Sequence, residues 1–191
     1  MTPNLTRAIS HLGPPSKALN DVLDELSGLS QYPALDVGCG FGRNAVALAS
    51  RGLSVLCVDQ DLSRLQTLIR LAPTRVAELK KPNIRAGKLH PVLAKLSQTR
   101  WPFAQKCFGA ILCIHFVDTQ LLGAFGRSLV TNGRLYIETF GGHGGNYLDL
   151  PKAGQLSDLL APHFQLSFYR ERKVGPADYG AVAVRALASK I

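Results

Sequence analysis

The stretch "LDVGCGFGRN", Leu35 to Asn44, has a glycine at every second position from Gly38 to Gly42. A short apolar run precedes it and an alanine-rich segment follows it, so the glycines stand where a strand turns into a helix. Such a turn lets a ligand approach the backbone, and the helix N-terminus offers unpaired N–H groups with partial positive charge. The stretch therefore predicts a nucleotide site.

Two aspartates favour one kind of nucleotide. Asp36 stands two residues before the first glycine, where a pyrophosphate would meet a like charge and an ammonium or sulfonium would be attracted. Asp59 ends the next strand-like run, and a spacing of about 20 residues suits a carboxylate that accepts both ribose hydroxyls. The register from Gly40 to Ala45 also fits GxGxxA, so a nicotinamide or flavin site stays open. Ribose and positive charge without a pyrophosphate favour S-adenosylmethionine.

Strand-like and helical segments alternate along the rest of the chain. This order predicts an α/β, Rossmann-like sheet of seven strands, mostly parallel, with an antiparallel hairpin at the C-terminus and helices on both faces. The predicted helices are residues 16–29, "FGRNAVALASRG", 62–71 with a stop near Pro73, 119–129 and 155–160. The predicted strands are "ALDVG", "LSVLCVD", residues 91–96, "FGAILCIHF", "GRLYIETF", "FQLSFYRER" and "YGAVAVRALA".

Length and composition predict one globular domain of 191 residues, with residues 1–30 as a helical arm and 31–191 as the core. No apolar run is long enough to span a membrane and no signal peptide is visible, which predicts a cytoplasmic protein without membrane contact. The four cysteines form no CxxC pair. They are predicted to be buried reduced thiols, and no metal site is expected.

The formal charge of +9 is concentrated in one segment. No acidic residue occurs between Glu78 and Asp118, and the stretch from Lys80 to Lys106 contains seven cations. A solvated basic face is the favoured interpretation, and an RNA-binding surface is the alternative.

The run "LDVGCGFGRNAVALASRG" followed by "VLCVDQD" resembles the first two motifs of class I S-adenosylmethionine-dependent methyltransferases. The "GRN" after the last glycine resembles the small tellurite-resistance type, also called TehB-like, within that superfamily. The resemblance implies that Asp36 and the backbone of the glycine loop surround the methionine moiety, that Asp59 holds the ribose, and that Gln60 and Leu96 adjoin the adenine. The implied cofactor residues are Asp36, Gly38, Cys39, Gly40, Gly42, Arg43, Asp59, Gln60 and Leu96.

Two positions depart from the family pattern. Lys95 stands near the place where many relatives have an acidic residue that contacts the adenine amino group. Gly109 replaces the aspartate that usually follows the phenylalanine at the start of the fourth strand.

The acceptor side is predicted from the ends of the fourth and fifth strands, since ligands bind at the carboxyl ends of strands in such sheets. His115 is the candidate base or acceptor contact, and a hydrogen-bonded wall residue is the alternative. Glu138 ends the fifth strand. Two interpretations of the loop that follows stay open: it closes over the acceptor, with His143, Asn146 and Tyr147 in the lining of the pocket, or it is a plain surface loop. The predicted reaction is methyl transfer from S-adenosylmethionine, with S-adenosylhomocysteine as product, to a small molecule or oxyanion, by a monomer or homodimer. RNA methylation and a non-catalytic cofactor-binding module are the alternatives.

Overall fold

The computed structural model of the protein describes residues 12–116, 118–141 and 146–191, and describes Asn146 by its backbone alone. The chain divides into two compact units, Met1–Leu96 and Ser97–Ile191. The prediction of a single domain with an N-terminal arm stays a prediction.

Within the described ranges the strands form one seven-stranded sheet. The order is β3-β2-β1 in the first unit and β4-β5-β7-β6 in the second. The pairs β1–β2, β2–β3 and β4–β5 are parallel, whereas β7 is antiparallel to both β5 and β6. The predicted fold class is therefore confirmed. The strands are β1 Ala34–Val37, β2 Val55–Asp59, β3 Leu89–Leu93, β4 Phe108–Ile114, β5 Leu129–Glu138, β6 Phe164–Lys173 and β7 Val182–Lys190.

The helix predicted over residues 16–29 is broken in the structure. It consists of a 3-10 helix, Lys17–Asp21, and a short α-helix, α1, Leu23–Leu26. Val22 separates them because its backbone, at φ −118° and ψ 2°, lies outside the α-helical region. The segment is also tied to the core, since the N–H of Ser16 donates to Oδ1 of Asn44 at 2.9 Å. Apolar spacing alone did not reveal this break.

The helix predicted to stop near Pro73 continues beyond it. Helix α2 is Arg43–Ser50, and helix α3 is Leu62–Leu79 with Pro73 inside it. A proline removes one helical hydrogen bond and usually ends or kinks a helix. Here Val76 is buried one turn further on, and burial of an apolar face stabilises a helix more than local propensity does. The prediction of a stop was wrong for that reason.

The second unit differs from its prediction mainly at the ends of its elements. Helix α4 is Leu122–Ser128, with a 3-10 turn, Thr119–Leu121, before it, and helix α5 is Gln155–Leu160 as predicted. Strand β5 begins at Leu129, earlier than predicted, and its register with β4 shifts between Phe108 and Ala110. This irregularity includes Asn132, which has a φ of 61°.

The prediction of buried thiols is confirmed for Cys39, Cys57 and Cys113, whereas Cys107 is only half-buried. None of the four forms a disulfide. Among the described residues, no cluster of three or more histidine, cysteine or acidic side chains is arranged to hold a metal ion. A search of the same residues finds no helix with the length and apolar character that crossing a membrane requires.

Candidate functional site

The glycine loop follows β1 and begins helix α2. Gly38, Gly40 and Gly42 all have left-handed backbones, with φ of 66°, 57° and 84°, which L side chains rarely adopt. A Cβ built on Gly40 would meet no atom within 4 Å, whereas one on Gly42 would lie 2.4 Å from Cδ1 of Leu68. Gly40 therefore faces open space that a ligand can enter. Gly42, by contrast, lets α2 pack closely against α3.

Asp59 joins the end of β2 to this loop. Its Oδ2 accepts the N–H of Gly40 at 2.8 Å and its Oδ1 accepts the N–H of Asp61 at 2.9 Å. The side chain is buried at 6% exposure. Because each carboxylate oxygen has two acceptor positions, both oxygens can still accept a hydroxyl. The structure thus brings together Asp59 and Gly40, two of the predicted cofactor residues.

Asp36 is a buried carboxylate with an unsatisfied oxygen. It is 1% exposed, and its Oδ2 has no hydrogen-bond partner among the described residues. Burial raises the pKa of this carboxyl from 3.8 to about 7, opposed by the N–H of Ala45 and the charge of Arg43, while Asp59 raises it further. Buried polar atoms are rarely left unpaired. A cationic ligand at the end of β1 would both pair this oxygen and favour its ionised form.

The structure places each of the other predicted cofactor residues near the end of a strand or at the start of helix α2. Cys39 is buried, and a hydrogen bond with Cys57 together with burial raises the pKa of its thiol, which stays protonated. Arg43 is the half-buried first residue of α2. Gln60 is exposed directly after β2, and Leu96 is half-buried three residues after β3. Their contacts with a cofactor stay predictions.

His115 has an unusual backbone at the end of β4. Its φ of 61° is left-handed, a conformation uncommon for any residue other than glycine. The N–H of His115 donates to the carbonyl oxygen of Glu138 at 2.7 Å, and its ring centroid lies 4.7 Å from that of Phe140. Its Nε2 is 3.9 Å from Oε1 of Glu138. Strain of this kind persists where the surrounding structure imposes it, often at functional sites.

Glu138 is the centre of a cluster in the second unit. Glu138 is buried, at 7% exposure. Its Oε2 accepts a hydrogen bond from the hydroxyl of Tyr136 at 3.0 Å, and its Oε1 lies 3.8 Å from Nε of Arg185. Arg185 lies directly opposite Glu138 on β7. The cluster therefore combines an imidazole, a buried carboxylate, a phenol and a guanidinium.

Tyr136 and Arg185 were not predicted as members of this cluster. Tyr136 could have been found, since it lies two residues before Glu138 and so shares its face of the strand. Arg185 could not, because it meets Glu138 through the pairing of β5 with β7, two strands that no hairpin turn joins along the chain.

The loop after β5 is packed where the structure describes it. The ring of Tyr147 lies against Gly175, where a built Cβ would be 2.6 Å from Cγ of Tyr147. The centroid of the same ring lies 5.1 Å from that of Tyr179. Leu150 is buried with Val174 in the same small apolar cluster. The prediction that Tyr147 lines an acceptor pocket did not anticipate this packing role. His143 and the side chain of Asn146 lie outside the described residues.

Comparison with known proteins agrees with this geometry. Residues 35–137, more than half of the chain, match the family model of a methyltransferase domain. The chain belongs to this family, and its class is that of the class I S-adenosylmethionine-dependent methyltransferases, as the glycine loop and its two aspartates predicted. No curated protein matches the chain.

Several solved structures have a similar fold. A SAM-dependent methyltransferase from Methanosarcina mazei is 16% identical, with a TM-score of 0.64, covering 93% of this chain and 99% of its own. Geranyl diphosphate C-methyltransferase from Streptomyces coelicolor A3(2), solved with Mg²⁺, geranyl diphosphate and S-adenosylhomocysteine, is 14% identical, with a TM-score of 0.69 and coverage of 92% and 80%. A geranyl diphosphate methyltransferase with sinefungin is 15% identical, with a TM-score of 0.65 and coverage of 92% and 79%.

The raised pKa of Asp36 predicts a pH-dependent affinity for a cationic donor. With a pKa of about 7, the carboxyl is nearly all ionised at pH 8 and about one-tenth ionised at pH 6, so donor affinity should fall roughly tenfold between them. Calorimetric titration of S-adenosylmethionine at both pH values measures this change. In Asp36→Asn the affinity should be lower throughout and flat across the interval; an equal slope in the variant would contradict the assignment.

The same pKa makes a prediction for stability. The folded carboxyl titrates at about 7 and the unfolded one at 3.8, so the folded state binds more protons between these values. The contribution of Asp36 to the free energy of unfolding is therefore fully present below pH 4 and is lost as the pH rises to 7. Denaturant unfolding at several pH values should show that the free energy of unfolding of Asp36→Asn rises relative to that of the wild type between pH 4 and pH 7.

Proposed function

We propose that the protein transfers the methyl group of S-adenosylmethionine to a small molecule or oxyanion, as a relative of the small tellurite-resistance type. The observation that supports the cofactor assignment is the buried Oδ2 of Asp36, which has no hydrogen-bond partner among the described residues and lies on β1, just before the loop in which Gly40 faces open space. Bound there, the cofactor supplies an activated methyl on a sulfonium. The "GRN" sequence at Gly42, Arg43 and Asn44 supports the subtype.

In this proposal the first unit holds the donor through charge and backbone. Asp36 attracts the positively charged methionine moiety and Arg43 pairs with its carboxylate. Asp59 accepts the ribose hydroxyls while its bonds to Gly40 and Asp61 keep the loop in place. A loop fixed in this way loses less conformational entropy when the ligand binds.

The cluster around Glu138 is the part of the chain that we assign to the acceptor chemistry. Methyl transfer is an in-line displacement in which the acceptor atom forms the new bond to carbon, the carbon–sulfur bond breaks, and sulfur keeps the electron pair. An acceptor that begins protonated must also lose a proton, and we assign that proton to Nε2 of His115. Glu138, 3.9 Å away, stabilises the imidazolium that results. Arg185 carries a positive charge, which suits an acceptor with an anionic group.

Removing the imidazole gives a direct prediction. His115→Asn should lower kcat about a hundredfold, at the lower end of general-base effects, and leave the Kd of S-adenosylhomocysteine unchanged within twofold. Asparagine is the suitable replacement because it tolerates a left-handed backbone better than most residues. His163→Asn, half-buried elsewhere in the second unit, is the matched control and should keep full activity. An unchanged kcat in His115→Asn would remove the histidine from the reaction.

The proposal as a whole is tested by turnover with a labelled methyl donor and a panel of acceptors. The panel contains tellurite, selenite, thiols, and small amines and carboxylates. Transfer to at least one compact acceptor supports the proposal. Donor binding without transfer to any acceptor, RNA included, would favour the non-catalytic module instead.

An RNA methyltransferase is the second candidate, favoured by the exposure of the basic segment. Lys81, Arg85, Lys95 and Lys106 are all exposed, and no ion pair is found for them in the part of the chain that the structure describes. Binding that weakens steeply with salt, and that is lost when Lys80, Lys81 and Arg85 are neutralised together, would support it. No RNA binding at low salt would eliminate it.

A further inference from the structure

A second cavity, separate from the glycine loop, lies in the first unit. It is a groove of about 630 Å³ between helix α3 and the residues that lead into β3. That volume falls within the range of small-molecule sites, which are mostly apolar with a few placed polar groups. The main apolar side chains of the groove are Leu68, Ile69, Pro73, Val76, Leu89 and Pro91.

The register of the sheet separates this groove from the cofactor loop. Leu89 pairs with Val55, the first residue of β2, and Pro91 pairs with Cys57. The glycine loop is bonded to Asp59, at the other end of the same strand. The groove therefore lies toward the amino ends of the strands, away from the atoms that hold the nucleotide.

Part of the apolar lining of the groove is open to solvent, whereas Leu68 and Val76 at its base are buried. Ile69 is 57% exposed, although it is a large apolar side chain on a helix whose other face is buried. On its other side the groove is bounded by β3, which is the edge strand of the sheet. Exposed apolar surface inside a concave groove is the kind of surface that lines small-molecule sites.

The charge around the groove is positive. Lys88 and His90 belong to its lining, and they lie within the segment between Glu78 and Asp118 that contains no acidic residue. Glu78, the closest carboxylate along the chain, is paired with Arg75 at 2.7 Å. An anionic group at this rim would therefore meet the ammonium group of Lys88 and no free carboxylate from the segment.

We propose that this groove binds a soluble amphipathic anion, a molecule with an unbranched apolar chain that ends in a carboxylate. The chain lies along α3 against Ile69 and Val76, and the carboxylate pairs with Lys88. No residue of the groove belongs to the donor loop or to the Glu138 cluster, so this is a ligand site additional to the reaction.

Leu68 connects the groove to the donor loop. It lines the groove and also fills the space in front of Gly42, where even a Cβ would be 2.4 Å from its Cδ1. A ligand that moves Leu68 therefore changes the packing at the start of α2. This coupling rests on the proposed cofactor site, and linkage requires that it act equally in both directions.

The test is calorimetric titration of the whole chain with dodecanoate below its micelle concentration. Binding should be one to one, and dodecanoate should bind at least tenfold more tightly than decanoate, because each buried methylene contributes about fourfold. Dodecyltrimethylammonium, with the opposite head charge, should bind at least tenfold more weakly. Equal binding of the two head groups, or no dodecanoate binding, would overturn the proposal.

Variants locate the site. Ile69→Glu places a carboxylate in the groove and should abolish dodecanoate binding, and Lys88→Gln should weaken it about tenfold. Leu159→Glu is the matched control, since Leu159 is an exposed leucine, at 40%, on helix α5 outside the groove. Unfolding midpoints of all three confirm folding. Dodecanoate binding that survives Ile69→Glu, or self-association that this variant abolishes without any dodecanoate binding in the wild type, would contradict the proposal.

Coupling between the groove and the donor loop is measured with S-adenosylhomocysteine as the ligand of the loop. Its Kd should change at least threefold in saturating dodecanoate, and the Kd of dodecanoate should change by the same factor in saturating S-adenosylhomocysteine. Unchanged constants would overturn the role of Leu68. Because dodecanoate is first titrated without cofactor, a failure of the groove is distinguishable from a failure of the cofactor site.

Discussion

Replacement of Asp59 by alanine should weaken binding of S-adenosylmethionine about a thousandfold. The variant loses two hydrogen bonds from the ribose hydroxyls to a carboxylate, each contributing about 1.5 to 3 kcal/mol. It also leaves the N–H groups of Gly40 and Asp61 without the oxygens that accept them at 2.8 and 2.9 Å. Calorimetric titration measures the affinity, and an unfolding curve shows how much stability is lost with the two backbone bonds.

Asp61→Ala is the control for this experiment, because it removes an aspartate two residues away with a different role. The Oδ1 of Asp61 accepts the N–H of Ser63 at 2.8 Å and so caps helix α3. Loss of such a cap costs about 1 kcal/mol of stability, and donor affinity should change less than threefold. Equal losses of affinity in the two variants would mean that Asp59 acts through local structure and not through the ribose.

Gly87→Ala should destabilise the protein by about 3 kcal/mol or more. A Cβ at this position would lie 1.8 Å from the carbonyl oxygen of Leu53, and no rotamer change can relieve a contact with backbone. The chain must move, which strains the bond from the N–H of Gly87 to the carbonyl of Ala49 at 2.8 Å. Overpacking of this kind typically costs 1 to 3 kcal/mol, and more where nothing can yield.

Gly123→Ala is the matched control, since it adds the same methyl group to helix α4. The nearest atom to a Cβ there is Nη1 of Arg127 at 3.5 Å, an ordinary contact. Alanine in a helix is more stable than glycine by roughly 0.5 to 1 kcal/mol. In urea, the free energy of unfolding should therefore fall in Gly87→Ala and rise slightly in Gly123→Ala, relative to the wild type. A Gly87→Ala protein as stable as the wild type would refute the packing described for that turn.

The sheet could be predicted from the sequence because its signals are local. Continuous apolar runs such as Phe108–Ile114 and the glycine turn after β1 each specify a strand or its end. The errors arose where tertiary contacts decide. Pro73 is accommodated within helix α3 because Val76 is buried beyond it. The break at Val22 accompanies the hydrogen bond from the N–H of Ser16 to Oδ1 of Asn44. Neither contact can be read from spacing.

In the candidate site too, the features with local sequence signals could be predicted and those set by tertiary contacts could not. Asp36 and Asp59 lie on the sequential strands β1 and β2, and Gly40 lies in the loop between β1 and α2. Their spacing along the chain was therefore sufficient to associate them. The Glu138 cluster depends on the pairing of β5 with β7, and the apolar groove depends on how α3 packs beside β3. The first is set by pairing between segments far apart in the chain, and the second by the way two consecutive elements pack against each other. Neither arrangement follows from residue spacing, so both required the structure.

The glycine loop should bind S-adenosylmethionine and not a dinucleotide. Calorimetric titration of the wild-type protein with S-adenosylhomocysteine and with NAD, at the same pH and salt, separates the two. We expect stoichiometric binding of S-adenosylhomocysteine, lost in Asp59→Ala, and no measurable heat with NAD. Binding of NAD without binding of S-adenosylhomocysteine would contradict this assignment of the loop.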